Sequence, residues 1–119
     1  FLQDMGSAYA RAGLVVARAG AGTCAEILEC AVPSLLVPLP NSARGHQAAN
    51  ATAMLSLGGV DVISEDILTV ERLTEYLVRC CREPGKIAGM RDSMVKRRVS
   101  GAGDKLADFV EACARGCST

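Results

Sequence analysis

Leu14-Val15-Val16-Ala17-Arg18-Ala19-Gly20-Ala21-Gly22-Thr23-Cys24-Ala25-Glu26 is the stretch that decides the fold. Its apolar, β-branched opening (Leu14, Val15, Val16) reads as a buried strand. The glycines at 20 and 22 permit a tight turn and leave no side chain between the backbone and a ligand. A helical pattern follows from about Thr23 to Cys30. Its first N–H groups lack partners and its dipole is positive at that end. A strand, a glycine turn and a helix start, in that order, make a site suited to a phosphate.

The same alternation continues outward. Pro33 turns the chain into a second apolar strand, Ser34 to Val37, which Pro38 and Pro40 close. A polar loop at 41–45 leads to a helix from about His46 to Leu57, stopped by Gly58-Gly59. Val60 to Ile63 is a third strand. Thr69 caps a further helix, with Val70, Leu73, Leu77 and Cys81 expected on its inner face and Pro84-Gly85 breaking it. Two more helices are expected at about 86–98 and 103–115. Upstream, Phe1-Leu2 reads as the end of a strand, and Asp4 caps a short helix over 4–12. Strands alternating with helices predict an α/β domain with a parallel sheet and right-handed crossovers. Ligands of such sheets bind at the carboxyl ends of the strands, where segments 18–26 and 41–50 both fall.

Composition narrows the function. In 119 residues, half are hydrophobic but only Phe1, Tyr9, Tyr76 and Phe109 are aromatic, so the core must be aliphatic. Thirteen basic residues balance thirteen acidic ones. That balance, with so few stacking rings, argues against a nucleic-acid partner. No apolar run approaches the ~20 residues of a membrane span. The chain opens on Phe1 with no signal-peptide pattern, and the expectation is a piece of something longer. Cys24, Cys30, Cys80, Cys81, Cys113 and Cys117 form no CxxC pair, and His46 is the only histidine. Reduced, structural thiols in a reducing compartment are expected, and no zinc site.

Three motifs have rival readings. Gly20 to Ala25 fits the GxGxxA dinucleotide fingerprint, but that fingerprint needs an acidic residue about 20 positions on, and residues 31–60 contain neither Asp nor Glu. Thr23 and Glu26 fit a capping box, in which each side chain satisfies a backbone N–H at a helix start. A carboxylate there could equally accept from a pair of ribose hydroxyls, and spacing does not choose between the two. His46 alone reads as a surface or capping histidine. Beside Gln47 and Asn50 it gains a functional reading, because amides and imidazoles donate and accept together and suit hydroxyl-rich ligands. Together with the glycine loop they suggest a nucleotide-sugar site. Arg91 to Arg98 reads as a solvated helix face.

The loop Arg18-Ala-Gly20-Ala-Gly22-Thr23-Cys-Ala-Glu26, the strand Pro33-Ser-Leu-Leu-Val-Pro38 and the later His46-Gln47-Ala-Ala-Asn50-Ala51 resemble, in order and spacing, the C-terminal half of the MurG family. Members transfer N-acetylglucosamine from its UDP donor to lipid I, forming lipid II in peptidoglycan synthesis. The resemblance implies a Rossmann-like parallel sheet with helices on both faces, the C-terminal half of a GT-B glycosyltransferase. It implies that Ala21, Gly22 and Thr23 meet the diphosphate and sugar, that Glu26 holds the ribose hydroxyls, and that His46 and Gln47 contact the N-acetylglucosamine; Gly20 and Asn50 are also expected to bind substrate. It favours the ligand reading of Glu26. Gly45 departs from the acidic or amide residue that often precedes the His-Gln pair.

The resemblance further implies an inverting, metal-independent reaction without a cofactor, and the chain has no Asp-x-Asp motif. The acceptor domain, the upstream part of the donor domain that grips uracil, and the catalytic base would all lie outside residues 1–119. The implied partners are UDP-N-acetylglucosamine, a lipid-linked acceptor held by the absent domain, and indirectly a membrane surface. The implied location is the cytoplasmic side of the plasma membrane, or a plastid for a plant or algal source. Other UDP-sugar GT-B enzymes share the glycine loop, among them the transferase that initiates N-glycans and the galactolipid synthases. A non-catalytic nucleotide-binding module is the alternative outside enzymes.

Overall fold

A strand written Ser-Leu-Leu is stable only if both of its faces are covered, and the computed structural model places it so. The structure describes residues 13–41 and 45–99. The short helix expected over 4–12 and the last one over 103–115 lie outside the described residues. Strand β2 (Ser34–Leu36) runs between β1 (Val15–Ala17) and β3 (Val60–Val62), parallel to both, in the order β1-β2-β3. Val16 pairs with Leu35, and Leu35 with Asp61. All three β2 residues are buried, as expected of the centre of a covered parallel sheet.

The connections are helical. Helix α1 (Ala21–Cys30) joins β1 to β2, and α2 (His46–Leu55) lies between β2 and β3. A short 3-10 turn (Glu65–Ile67), missed in the sequence, precedes α3 (Val70–Arg82) and α4 (Pro84–Val99). Helix α1 ends on Ala31 in a left-handed conformation (φ 51°), whose N–H returns to Leu28 while that of Val32 returns to Ile27. Thr69 caps α3 as expected, its Oγ1 accepting from the Arg72 N–H at 3.1 Å.

Side chains alternate across the sheet, so Leu36 and Val60 share one face while Leu35 and Asp61 share the other. The first face meets Ile27, Leu28, Met54 and Met94 from α1, α2 and α4 in one continuous core. On the opposite side, Asp61 Oδ2 accepts from the Tyr76 hydroxyl at 2.7 Å and from Lys86 Nζ at 3.0 Å, drawing α3 against β3. Burial, then the Asp61 carboxylate beside it, pushes the Tyr76 phenol well above its ordinary value, so it stays a donor.

Three expectations need correction. The inner face of α3 is Leu73, Tyr76 and Cys80; Val70 is 78% exposed, and Leu77 and Cys81 are also exposed. Both stripes have helical spacing, and the Asp61 carboxylate selects the one that carries Tyr76. α3 ends at Arg82 ahead of Pro84 as expected, but α4 begins on Pro84 itself and not at about 86, because a first helical position needs no N–H from it. Within 91–98, Asp92, Lys96 and Arg97 are exposed as expected, but Met94 turns fully inward.

Gly59 is where α4 meets the sheet. A Cβ placed there would lie 1.9 Å from Met94 Cγ and 2.8 Å from the Met90 carbonyl oxygen. Gly59→Ala should therefore destabilise the chain by about 1–3 kcal/mol, since backbone as well as side chain must move. Gly89→Ala, whose Cβ meets nothing within 4 Å on the same helix, should stabilise by about 0.5–1 kcal/mol. Denaturant melts followed by circular dichroism check the pair; equal effects would contradict the packing.

Candidate functional site at the carboxyl edge of the sheet

Every strand ends at the same edge, and the chain's polar motifs gather there. Gly20 is the N-cap of α1, extended at φ −67° and ψ 152°, and its carbonyl accepts from Cys24 N–H at 2.9 Å. Ala21, Gly22 and Thr23 therefore supply the helix N–H groups with no intrahelical acceptor. Among the described residues, no side chain caps this end. A Cβ on Gly20 or Gly22 would meet nothing within 4 Å among the described residues. These glycines are not required by packing, and they leave the helix start as an open ledge of backbone donors.

This geometry removes the capping box. Thr23 is the third residue inside α1, so it cannot be the cap of that helix, and Glu26 is exposed without a hydrogen bond to any described residue. The structural explanation that competed for this carboxylate is gone.

The second cluster is brought to the first. Asn50 is 2% exposed and its Nδ2 donates to the Ala19 carbonyl at 3.0 Å, across 31 positions of sequence. His46 and Gln47 stand one turn before it on α2. Gln47 Oε1 accepts from the Leu39 N–H at 2.8 Å, which fixes the loop after β2 against the helix start. His46 Nε2 and Asn50 Oδ1 are buried and have no partner among the described residues. Gly45, the N-cap of α2, has φ 66°, and no described residue lies within 4 Å of its Cβ position. That left-handed turn suits glycine, and it is also the region that Asp and Asn adopt most readily among other residues.

Arg18, within the glycine-loop motif, has no role that spacing alone assigns. Its guanidinium pairs with Glu65 after β3 and donates to the Val37 carbonyl at 3.4 Å after β2, tying together the ends of all three strands. β1 is an edge strand among the described residues and not the buried strand expected, with Val16 44% exposed, and a cation directly after it was the available signal. A cleft of about 290 Å³ opens beside α2, between Pro38, Leu39, Ala48, Thr52 and Val62. None of the eight residues singled out in the sequence lines it. The ledge at Gly20 to Glu26 is a surface, whereas this cleft is largely apolar.

Residues 1–106 match the family model for the glycosyltransferase family 28 C-terminal domain. The chain is 38% identical, over 98% of its length, to the UDP-N-acetylglucosamine–N-acetylmuramyl-(pentapeptide) pyrophosphoryl-undecaprenol N-acetylglucosamine transferase of Rhizobium etli. It is 39% identical, over 95% of its length, to the transferase of the same name from Myxococcus xanthus. The chain spans 31% and 29% of these two relatives. Among solved structures, MurG of Acinetobacter baumannii matches with a TM-score of 0.70 and 28% identity, over 94% of this chain and 32% of that one. The glycotransferase of kitacinnamycin matches at 0.56 and 26%, over 91% and 27%.

Cys24 lies next to the ledge but is not available to react. Burial pushes its thiol up to about 11, so at pH 8 roughly one molecule in a thousand carries the thiolate. Native-state alkylation read by peptide mass spectrometry should label exposed Cys81 quickly and Cys24 only on unfolding. Comparable native rates would show that α1 does not cover Cys24.

Proposed function

The chain belongs to the glycosyltransferase family 28 C-terminal domain family, and from that we propose that it is the donor-binding part of a transferase. The reaction moves N-acetylglucosamine from UDP-N-acetylglucosamine to lipid I and yields lipid II. The observation that carries this reading is the open glycine ledge at the start of α1, clipped through Ala19 and Asn50 to the helix that begins His46-Gln47. In this reading the complete transferase joins residues 1–119 to an acceptor-binding part, which supplies the catalytic base, and to the segment that grips uracil. It works at the cytoplasmic face of the membrane that carries its lipid-linked acceptor. Among the described residues, no helix is long and apolar enough to cross that membrane.

The chemistry follows from charge. As the bond between sugar and diphosphate breaks, negative charge grows on the departing UDP. The N–H groups of Ala21, Gly22 and Thr23 and the positive end of α1 face it without reorganising, and so stabilise the transition state more than the ground state. Glu26, one turn further along α1, accepts from the ribose hydroxyls. His46 and Gln47 bond the sugar hydroxyls, Gln47 being held in place by the Leu39 N–H. Reacting through leaving-group stabilisation, the site calls on no metal ion.

Two substitutions in the complete transferase separate the nucleotide from the sugar. Gln47→Ala should lower kcat/KM for UDP-N-acetylglucosamine roughly ten- to hundred-fold and barely alter inhibition by UDP. Glu26→Gln should weaken UDP and the sugar donor together, with unfolding free energy changed by less than about 0.5 kcal/mol. A wild-type rate for Gln47→Ala would reduce His46 and Gln47 to a helix start. Loss of stability without loss of affinity would return Glu26 to a structural role.

A further inference from the structure

We infer that Asn50 is a positioning residue, which aims the Gly20 N–H into the donor site and holds it in register with His46 and Gln47. The inference rests on the donor-site reading above and moves Asn50 from contact with the substrate to support beneath it. At 2% exposure its amide lies under the ledge, and its Nδ2 bonds the Ala19 carbonyl at 3.0 Å. A trans peptide is planar, with its C=O and N–H pointing in opposite directions. Anchoring the Ala19 oxygen on Asn50 therefore turns the N–H of the same peptide, that of Gly20, away from α2 and the core. That N–H has no acceptor among the described residues, and the Cβ position beside it is open. It joins the N–H groups of Ala21, Gly22 and Thr23 as a fourth backbone donor on the ledge.

The same bond fixes a distance. His46 and Gln47 are four and three residues before Asn50, on the helix face above it. The peptide that faces the diphosphate and the side chains that face the sugar are thus linked through a single amide. A donor that must satisfy both ends at once depends on that link more than UDP alone does, because loss of register costs the simultaneous fit and not either contact by itself. Asn50 Oδ1 is buried without a partner among the described residues, so the bond to Ala19 is the amide's one contact of this kind there.

The test is a double-mutant cycle in the complete transferase, with Gln47→Ala measured in the native and the Asn50→Ala backgrounds. Asn50→Leu, which fills much the same volume without a donor, is run alongside in case the smaller residue compromises folding, and melting temperatures are recorded for all variants. Asn50→Ala should lower kcat/KM for UDP-N-acetylglucosamine at least thirty-fold while weakening UDP inhibition no more than about five-fold. In that background, Gln47→Ala should cost less than about three-fold more. A full, additive effect of Gln47→Ala would overturn the inference, leaving Asn50 a fold-stabilising residue. So would equal losses for UDP and the sugar donor. Gln47→Ala silent in both backgrounds would instead overturn the donor-site reading itself, and the inference with it.

Discussion

The burial of β2 on both faces is the constraint on which the rest depends. Ser34, Leu35 and Leu36 have no solvent side, so the strand must have parallel neighbours and helices above and below. Ser34 meets this by donating its hydroxyl to the Val32 carbonyl at 3.0 Å, which leaves no orphaned polar group in the middle of the sheet. Parallel neighbours bring the ends of β1, β2 and β3 to one edge. Every polar motif that follows a strand then arrives at that edge regardless of its separation in sequence, and the site is a consequence of the topology.

The two faces of the sheet are held by different physics. One is a seam of aliphatic and sulfur side chains, with Met94 pressed on Gly59 and Met54 fully buried. Flexible thioethers suit this seam, because they fill irregular gaps that branched residues would leave. The other is organised by one carboxylate. Asp61 stands mid-strand on β3 and receives both the Tyr76 hydroxyl and Lys86. The half-exposed ion pair adds little by itself, but the shared acceptor fixes where α3 and the start of α4 lie. Neither device touches the ledge, which is left free to be open and rich in glycine.

Much of this was legible in residues. β1, β2, β3, α1 and α2 follow from apolar runs, helical spacing and the punctuation of Pro33, Pro38, Gly58 and Gly59. The choice of inner face on α3 was not, because Val70-Leu73-Leu77-Cys81 is as regular as Leu73-Tyr76-Cys80 and only a partner 15 residues away distinguishes them. Pro84 is ambiguous for a similar reason, since proline both ends helices and starts them. At the site, the residues could be named from their spacing, but Thr23 and Glu26 could not be separated from a capping box until Gly20 was seen in the capping position. The bond from Asn50 to the Ala19 carbonyl and that from Gln47 to the Leu39 N–H are tertiary, and no local pattern announces them.

The central claim is that one edge of this sheet is built for a nucleoside diphosphate carrying a sugar. Backbone amide resonances, followed while UDP and then UDP-N-acetylglucosamine are added, test it most directly. UDP should shift residues 20–26, and the sugar donor should extend the shifts to 46–50, with NADH producing neither. Shifts from NADH at 20–26, as strong as those from UDP and at the same concentrations, would contradict the claim and restore the dinucleotide reading of the glycine loop.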